Sequence, residues 1–299
     1  MRYIFIINGR PDKAAFREEV ERQLAQCSLE DYTMYVTTGV GDGTRHVRIW
    51  CDLHRDEPAC FVACGASGMA NEVASGIIGS PNKCMAIWAF GGTCDFTKYY
   101  PDRDFTSLKK LLAGEKKAID VIRANDSYAI NMACVGFSAS VAAEANHYIE
   151  EGKNNPYRRG VLAALFTSRR NNIRVTADGK RLNRRHIFMA DIANGHYSGG
   201  QYLTTPWAKN DDGLMDVVLV RPMTLIAFVL VLRHYKVGTH LTNRFCQRRV
   251  KYLQATHIDL TSPDLITLSL DGEIVASSSF SIDVLPGALN IILPRTEKE

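Results

Sequence analysis

Cys64-Gly65-Ala66-Ser67-Gly68-Met69-Ala70-Asn71-Glu72-Val73 puts small side chains where an apolar run, Ala59 to Ala63, gives way to a helical pattern. A turn of that kind can cradle a phosphate. Small residues let the backbone approach the anion, and the first N–H groups of the helix point at it. A second such turn, Ala89-Phe90-Gly91-Gly92-Thr93-Cys94-Asp95-Phe96, follows the next apolar run. Small residues at one such turn are commonly structural; two at the ends of successive strands would line one crevice.

The second half of the chain carries a different chemistry. Asn194-Gly195-His196-Tyr197-Ser198-Gly199-Gly200 is followed by Pro206-Trp207-Ala208-Lys209-Asn210-Asp211-Asp212-Gly213-Leu214-Met215-Asp216. Three carboxylates within residues 211–216 can bind a hard cation through oxygen; an acidic turn leading into a strand gives the same spacing. Leu270-Asp271-Gly272-Glu273 sets two carboxylates on a tight turn. They could supply a general base for an attacking hydroxyl, although Asp-Gly is also a common hairpin turn.

Alternating elements must position the first two loops. Apolar runs at 3–7, 33–38, 59–63 and 85–90 read as strands. Helical spacing at 13–26 (Phe16, Val20, Leu24), 46–53 and 69–77 falls between them. This order predicts a parallel sheet covered on both faces, with ligands at the carboxyl ends of its strands. Near Asp120 the pattern changes to short β-branched and aromatic runs at 128–135, 172–177, 186–193, 216–221, 257–261, 265–270 and 279–284, with helices expected at 139–151 and 224–235. That predicts an antiparallel sandwich. The expected division is a nucleotide-binding α/β domain, 1–120, and a β-sandwich domain, 121–299, whose last segment packs back on the first.

At 299 residues and 46% hydrophobic, the chain has the length and composition for two cored domains, which excludes a disordered or fibrous protein. No apolar run reaches the roughly 20 residues of a bilayer span, and the N-terminus lacks the pattern of a signal peptide. The expectation is a cytoplasmic protein that meets membrane only peripherally. Eight cysteines without a CxxC pair read as reduced, buried thiols. The net charge is +4, with arginines and lysines crowded at 158–185 and 244–251. Such clusters suit an anionic surface or a solvated face.

Taken in order, these pieces resemble the diacylglycerol kinase catalytic domain family, which includes small bacterial lipid kinases. The resemblance spans nearly the whole chain, from Ile6-Ile7-Asn8 through 65–73, 91–96, Asp120 with Ala129 to Phe137, 194–200 and 206–216 to Asp271-Gly272-Glu273. It implies a phosphofructokinase-like three-layer α/β domain that holds ATP, followed by an antiparallel β-sandwich that helps bind lipid. Carried over, the nucleotide residues are Asn8, Thr38, Gly65, Ala66, Ser67, Gly68, Met69, Glu72, Gly91, Gly92 and Thr93. Asp95 falls to the substrate. Asp212, with Asp216 and the Leu214 carbonyl, falls to a structural Mg2+, and Asp271 to the base with Glu273 beside it. The implied partners are a membrane lipid substrate in phospholipid biosynthesis and a transient anionic membrane surface, with no nucleic acid; a homodimer is left open.

The departures are equally specific. Ser67 stands where the family has an aspartate serving Mg-ATP, Met69 replaces a hydroxyl residue, and Gly9 replaces a common proline. Only the ends of the second loop, Gly91 and Asp95, keep the family's residues. Gly41-Asp42-Gly43-Thr44 spells a nucleotide signature, but without an Asn-Glu pair after it, and is read as a connecting loop. Two readings follow: an ATP- and magnesium-dependent kinase of a lipid hydroxyl such as that of diacylglycerol, or a catalytically silent member that binds lipid or nucleotide as a sensor or partner. A kinase for a soluble metabolite is a third.

Overall fold

Strands buried on both faces read as unbroken apolar runs, and those of the first 120 residues have that character. In the computed structural model, which describes residues 1–9, 14–27, 29–89 and 94–296, they are β1 (Arg2–Ile7), β2 (Tyr32–Val36), β3 (Ala59–Cys64) and β4 (Lys83–Trp88). Helices α1 (Ala14–Ala25), α2 (Asp42–Leu53) and α3 (Ser67–Ile77) connect them. All four strands are parallel, in the order β2-β1-β3-β4. Every residue of β3 and β4 is buried. Even Lys83 is buried, because its ammonium donates to the carbonyls of His54, Arg55 and Glu57 at 2.8, 3.1 and 2.6 Å, where α2 ends.

The expected helix at 46–53 begins four residues earlier, at Asp42. The segment read as a connecting loop is its first turn. Gly41 takes the left-handed conformation (φ 77°) that lets the chain enter the helix, and Asp42 opens it. Helices α2 and α3 pack tightly: a Cβ on Gly76 would lie 2.6 Å from the Val47 Cβ.

After a short α4 (Leu108–Leu112), β5 (Glu115–Ala124) leads out of this unit, which comprises Met1–Asp120 and Gly287–Glu299. At the chain's end Ile291 and Ile292 pair in parallel with Met85 and Ala86 of β4. The Gly287 N–H donates to the Asp120 carboxylate at 2.8 Å.

The second unit, Val121–Pro286, is built on antiparallel pairing. Its elements are β6 (Ser127–Ala129), β7 (Met132–Gly136), α5 (Phe137–Glu150), α6 (Pro156–Thr167), β8 (Arg174–Ala177), β9 (Lys180–Arg181), β10 (Met189–Ala193), β11 (Tyr197–Ser198), β12 (Tyr202–Leu203), β13 (Met215–Val220), α7 (Leu225–Lys236), α8 (Arg244–Gln247), β14 (Val250–Ala255), β15 (His257–Leu270) and β16 (Glu273–Leu293). The order is β14-β13-β10-β7-β15-β16, with β8 also on β15. Alternation along β13 is clear: Met215, Val217 and Leu219 enter the sandwich-like core, while Val218 and Val220 enter a second cluster roofed by helices α5, α6 and α7. The runs at 257–261 and 265–270 are one strand, β15, with an irregularity between Thr261 and Ile266, and 279–284 lies within the 21-residue β16. Helix α6 and strand β14 were not foreseen. Both lie in arginine-rich segments whose charge hid a periodic apolar face, as at Val161, Ala164 and Leu165. The run at 128–135 breaks at Ile130-Asn131, whose N–H groups turn to a carboxylate described below.

His240 illustrates the cost of polarity in the second cluster. It is fully buried, its Nε2 lies 2.9 Å from the Thr204 carbonyl, and burial lowers its pKa to about 4. The unfolded chain therefore binds a proton between pH 6.5 and 4 that the folded one excludes. Stability is expected to fall by about 2–3 kcal/mol as pH drops through that window. Urea melts at pH 7 and pH 4.5 of wild type and His240→Gln test this: the variant should lose most of the difference.

Candidate functional site

Parallel register fixes one edge of the first unit. Ile7 is level with Val36 and Cys64, and Cys64 with Trp88. Asn8, Thr37, Gly65 and Ala89, each the next residue along, therefore emerge together at the carboxyl ends of their strands, where open α/β sheets hold ligands. The chain is pinned there: the Gly9 N–H donates to the Thr37 hydroxyl at 3.2 Å, and the Thr37 N–H to the Ile7 carbonyl at 2.9 Å. A Cβ on Gly9 would lie 1.9 Å from the Thr37 carbonyl oxygen, so no larger residue fits there without a backbone shift.

Gly65 (φ 154°) and Ala66 lead directly into α3, whose first residue is Ser67. Ala66 is the N-cap and offers no side-chain acceptor. Gly68 is half-buried and Met69 buried. Uncapped N–H groups at the start of an eleven-residue helix, behind a small-residue turn, are the ingredients of an anion cradle. The Ser67 hydroxyl accepts the Asp95 N–H at 3.2 Å, and the Asp95 carboxylate pairs with Lys98 at 2.7 Å. Gly91, Gly92 and Thr93 lie outside the described residues.

Two of the expected nucleotide residues have structural work in this unit. Both oxygens of buried Glu72 accept backbone N–H groups at the start of α2, from Gly41 at 3.0 Å and Gly43 at 2.8 Å. The Thr44 hydroxyl donates to the Glu72 carbonyl at 2.9 Å. Thr38 donates both its N–H (2.8 Å) and its hydroxyl (2.9 Å) to Asp42. Asp42, passed over in the sequence, is thus central. The Thr38 N–H first, and then the Arg45 guanidinium at 2.6 Å, hold its carboxyl well below the usual carboxylate range. The cue was present: Gly-Asp before an apolar helical pattern is a helix-start signature.

In the second unit the motifs of the C-terminal half converge. Asp271 and Gly272 form the turn between β15 and β16, with positive φ at both (52° and 103°), the requirement of a tight two-residue hairpin. The Asp271 carboxylate accepts three backbone N–H groups: Ile130 at 2.7 Å, Met132 at 2.8 Å and Asn131 at 3.1 Å. Its own N–H donates to the Met132 carbonyl at 3.0 Å. A carboxylate has about four lone-pair positions, so the orientation of Asp271 is fixed and little of its accepting capacity remains. Asn146 of α5 donates to the Gly272 carbonyl at 2.9 Å, and Glu273 is half-buried at the start of β16.

Asn131 joins this turn to the 194–208 loops. Its carbonyl accepts the N–H groups of Asn194 and Gly195, and its amide donates to the Tyr197 carbonyl at 3.1 Å. Gly195 must be glycine, since a Cβ would lie 1.9 Å from the Asn131 Oδ1. His196 Nε2 lies 2.9 Å from the Ala208 carbonyl.

The acidic turn follows. Asp212 is exposed and its carboxylate accepts the Leu214 N–H at 3.1 Å. Asp216 is fully buried in β13, takes a hydrogen bond from the Tyr252 hydroxyl, and has Gln254 at 3.5 Å. Burial raises its pKa; Tyr252 and Gln254 oppose the rise, and the charge of Asp212 adds to it. Two carboxylates on one acidic turn suit a hard cation in donor type. Asp212 and the Leu214 carbonyl are the available first ligands, while Asp216 already has hydrogen-bond donors on both oxygens. Among the described residues no cluster of three His, Cys, Asp or Glu side chains could hold a metal, so such a cation would keep several waters, as Mg2+ does.

This arrangement, an α/β unit with a small-residue helix start and an antiparallel unit built around 131–271, has known counterparts. The family described as the YegS C-terminal NAD kinase beta sandwich-like domain matches residues 131–293, more than half of the chain. The chain belongs to this family. Two relatives carry the name "Probable lipid kinase YegS-like". That from Pectobacterium atrosepticum is 27% identical, over 97% of this chain and 95% of its own. That from Shewanella frigidimarina is also 27% identical, over 97% and 93%. The crystal structure of a diacylglycerol kinase from Bacillus anthracis str. Sterne superposes with a TM-score of 0.70 at 18% identity, covering 98% of this chain and 96% of that one. These agreements establish the expected diacylglycerol kinase-type fold across the chain.

Proposed function

We propose that this protein is a lipid kinase, transferring the γ-phosphate of ATP to the hydroxyl of a membrane lipid such as diacylglycerol. The observation that carries this reading is the uncapped start of α3 behind Gly65-Ala66, at the carboxyl edge of the parallel strands, in a chain whose full-length relatives are named as lipid kinases.

Backbone N–H groups of residues 67–69 hold the nucleotide's phosphates, and Glu72 and Asp42 keep α2 and the β2 edge in place around them. Asp271 receives the proton of the attacking hydroxyl at its carboxylate, which the Ile130, Asn131 and Met132 N–H groups hold in a fixed orientation. Asp95 lies toward the substrate. Phosphoryl transfer needs little covalent chemistry from the protein and depends mainly on positioning and charge stabilisation, and the main-chain donors at the start of α3 supply part of that stabilisation at the phosphates. A bound Mg2+, held by Asp212 and the Leu214 carbonyl with Asp216 behind, would supply positive charge to the acidic turn. ADP release measured with Mg-ATP, with and without diacylglycerol in mixed micelles, tests the reading: turnover should require the lipid.

One observation favours a second reading, a silent member that binds nucleotide or lipid without transfer. Ser67 is already engaged with the Asp95 N–H and Met69 is buried, so neither offers a ligand for Mg-ATP. Saturable ATP binding without ADP release under any lipid condition would select it.

A further inference from the structure

Residues 225–232 of α7 contain no polar side chain. A helix apolar on all sides is ordinarily buried all round. Here Ala227, Phe228, Val231 and Tyr235 are buried against the second unit, while Leu225, Ile226, Val229 and Leu230 remain 51, 77, 52 and 43% exposed. Leu225 and Val229, and Ile226 and Leu230, are each one turn apart, so they make a single outward patch. Helix α6, whose Ala164 packs into the same cluster, adds Leu162 and Phe166, 61% and 84% exposed and again one turn apart.

Along the two chain segments that carry these side chains the charge has one sign, while α5, packed beside Gly160 of α6, contributes Glu144. Residues 217–258 hold seven arginines and lysines and no aspartate or glutamate, and residues 152–177 hold six and none. Arg233 and Lys236 at the end of α7, and Arg169 and Arg170 beyond α6, are exposed.

We propose that α7 and the outer face of α6 dock the protein on an anionic lipid bilayer. The exposed aliphatic and aromatic side chains enter the interface, and the flanking cations meet headgroup phosphates. Charge selects this occupant. An isologous contact with a second copy would set the same cations against themselves, and an uncharged bilayer would leave them unmatched. Length selects the mode: α7 has 12 residues, a span needs roughly 20, and no helix among the described residues is long and apolar enough to cross. The helix therefore lies in the plane of the interface. The inference deepens the lipid-kinase reading by naming the face that brings the enzyme to its substrate, yet it can be tested without nucleotide.

Purified protein is sedimented with vesicles of phosphatidylcholine alone and of phosphatidylcholine with phosphatidylglycerol, at low and high salt, beside Ile226→Glu/Val229→Glu and Arg233→Glu/Lys236→Glu. The wild type should bind the phosphatidylglycerol vesicles and release them at high salt. Each double variant should bind at least about tenfold more weakly with an unchanged melting temperature, since the altered side chains are exposed in water. Absence of wild-type binding, equal binding by Ile226→Glu/Val229→Glu, or a concentration-dependent dimer that this variant abolishes would each overturn the proposal. Vesicle binding by a protein that transfers no phosphate would leave docking intact and remove the kinase reading. Transfer to micellar lipid without vesicle binding would do the reverse.

Discussion

Replacing Asp271 by asparagine is expected to lower phosphate transfer at least about a hundredfold, the low end of what a positioned general base contributes. The reason lies in the three N–H groups that hold the carboxylate. Asparagine keeps one oxygen, but its NH2 must face either Ile130 or Met132, donor against donor. The same substitution should therefore lower stability by about 1–3 kcal/mol, the cost of an unsatisfied buried donor. A control separates the two effects. Asn146→Ala removes the hydrogen bond to the Gly272 carbonyl and loosens the same turn without touching the carboxylate. It should melt lower while keeping most of its kcat. If Asn146→Ala loses as much activity as Asp271→Asn, the carboxylate acts only by holding the turn.

Glu72→Ala carries the largest expected loss of stability. Two N–H groups at the start of α2 would lose a buried acceptor, and each donor left unsatisfied costs about 1–3 kcal/mol. A loss of about 4 kcal/mol is expected, read as a shift in the urea midpoint with unchanged slope. Glu72→Gln keeps one acceptor and should lose roughly half as much. Because α2 carries Asp42 and through it Thr38, the KM for ATP should rise in both variants, more in the alanine one. A Glu72→Ala protein as stable as wild type, with weaker ATP binding, would mean that Glu72 touches the nucleotide directly.

What the sequence disclosed and what it hid follow from where the interactions come from. Strands β1, β3 and β4 were legible because continuous burial leaves continuous apolar runs, and the Asp271 turn because Asp-Gly at positive φ has few substitutes. The start of α2 was not, since its cap is Glu72, about thirty residues away, and nothing near Gly41 announces it. The partners of Asp271 were equally hidden: backbone N–H groups carry no residue signature, and Ile130 to Met132 read as part of a strand. The acidic turn was visible as composition. That Asp216 takes hydrogen bonds from Tyr252 and Gln254 depends on the register of β13 with β14, which sets Asp216 opposite Gln254 and Val218 opposite Tyr252. Helix α7 was read correctly as a helix, but which half of its apolar surface stays uncovered depends on packing alone.

The central claim is that this chain transfers phosphate to a lipid hydroxyl with Ser67 and Met69 at the start of α3. The most direct test is transfer of labelled γ-phosphate from Mg-ATP to a total bacterial lipid extract, comparing wild type with Asp271→Asn. The account predicts a labelled phosphomonoester lipid with wild type only. A well-folded wild type that binds ATP and labels no lipid would contradict it and leave the protein a nucleotide- or lipid-binding member of its family.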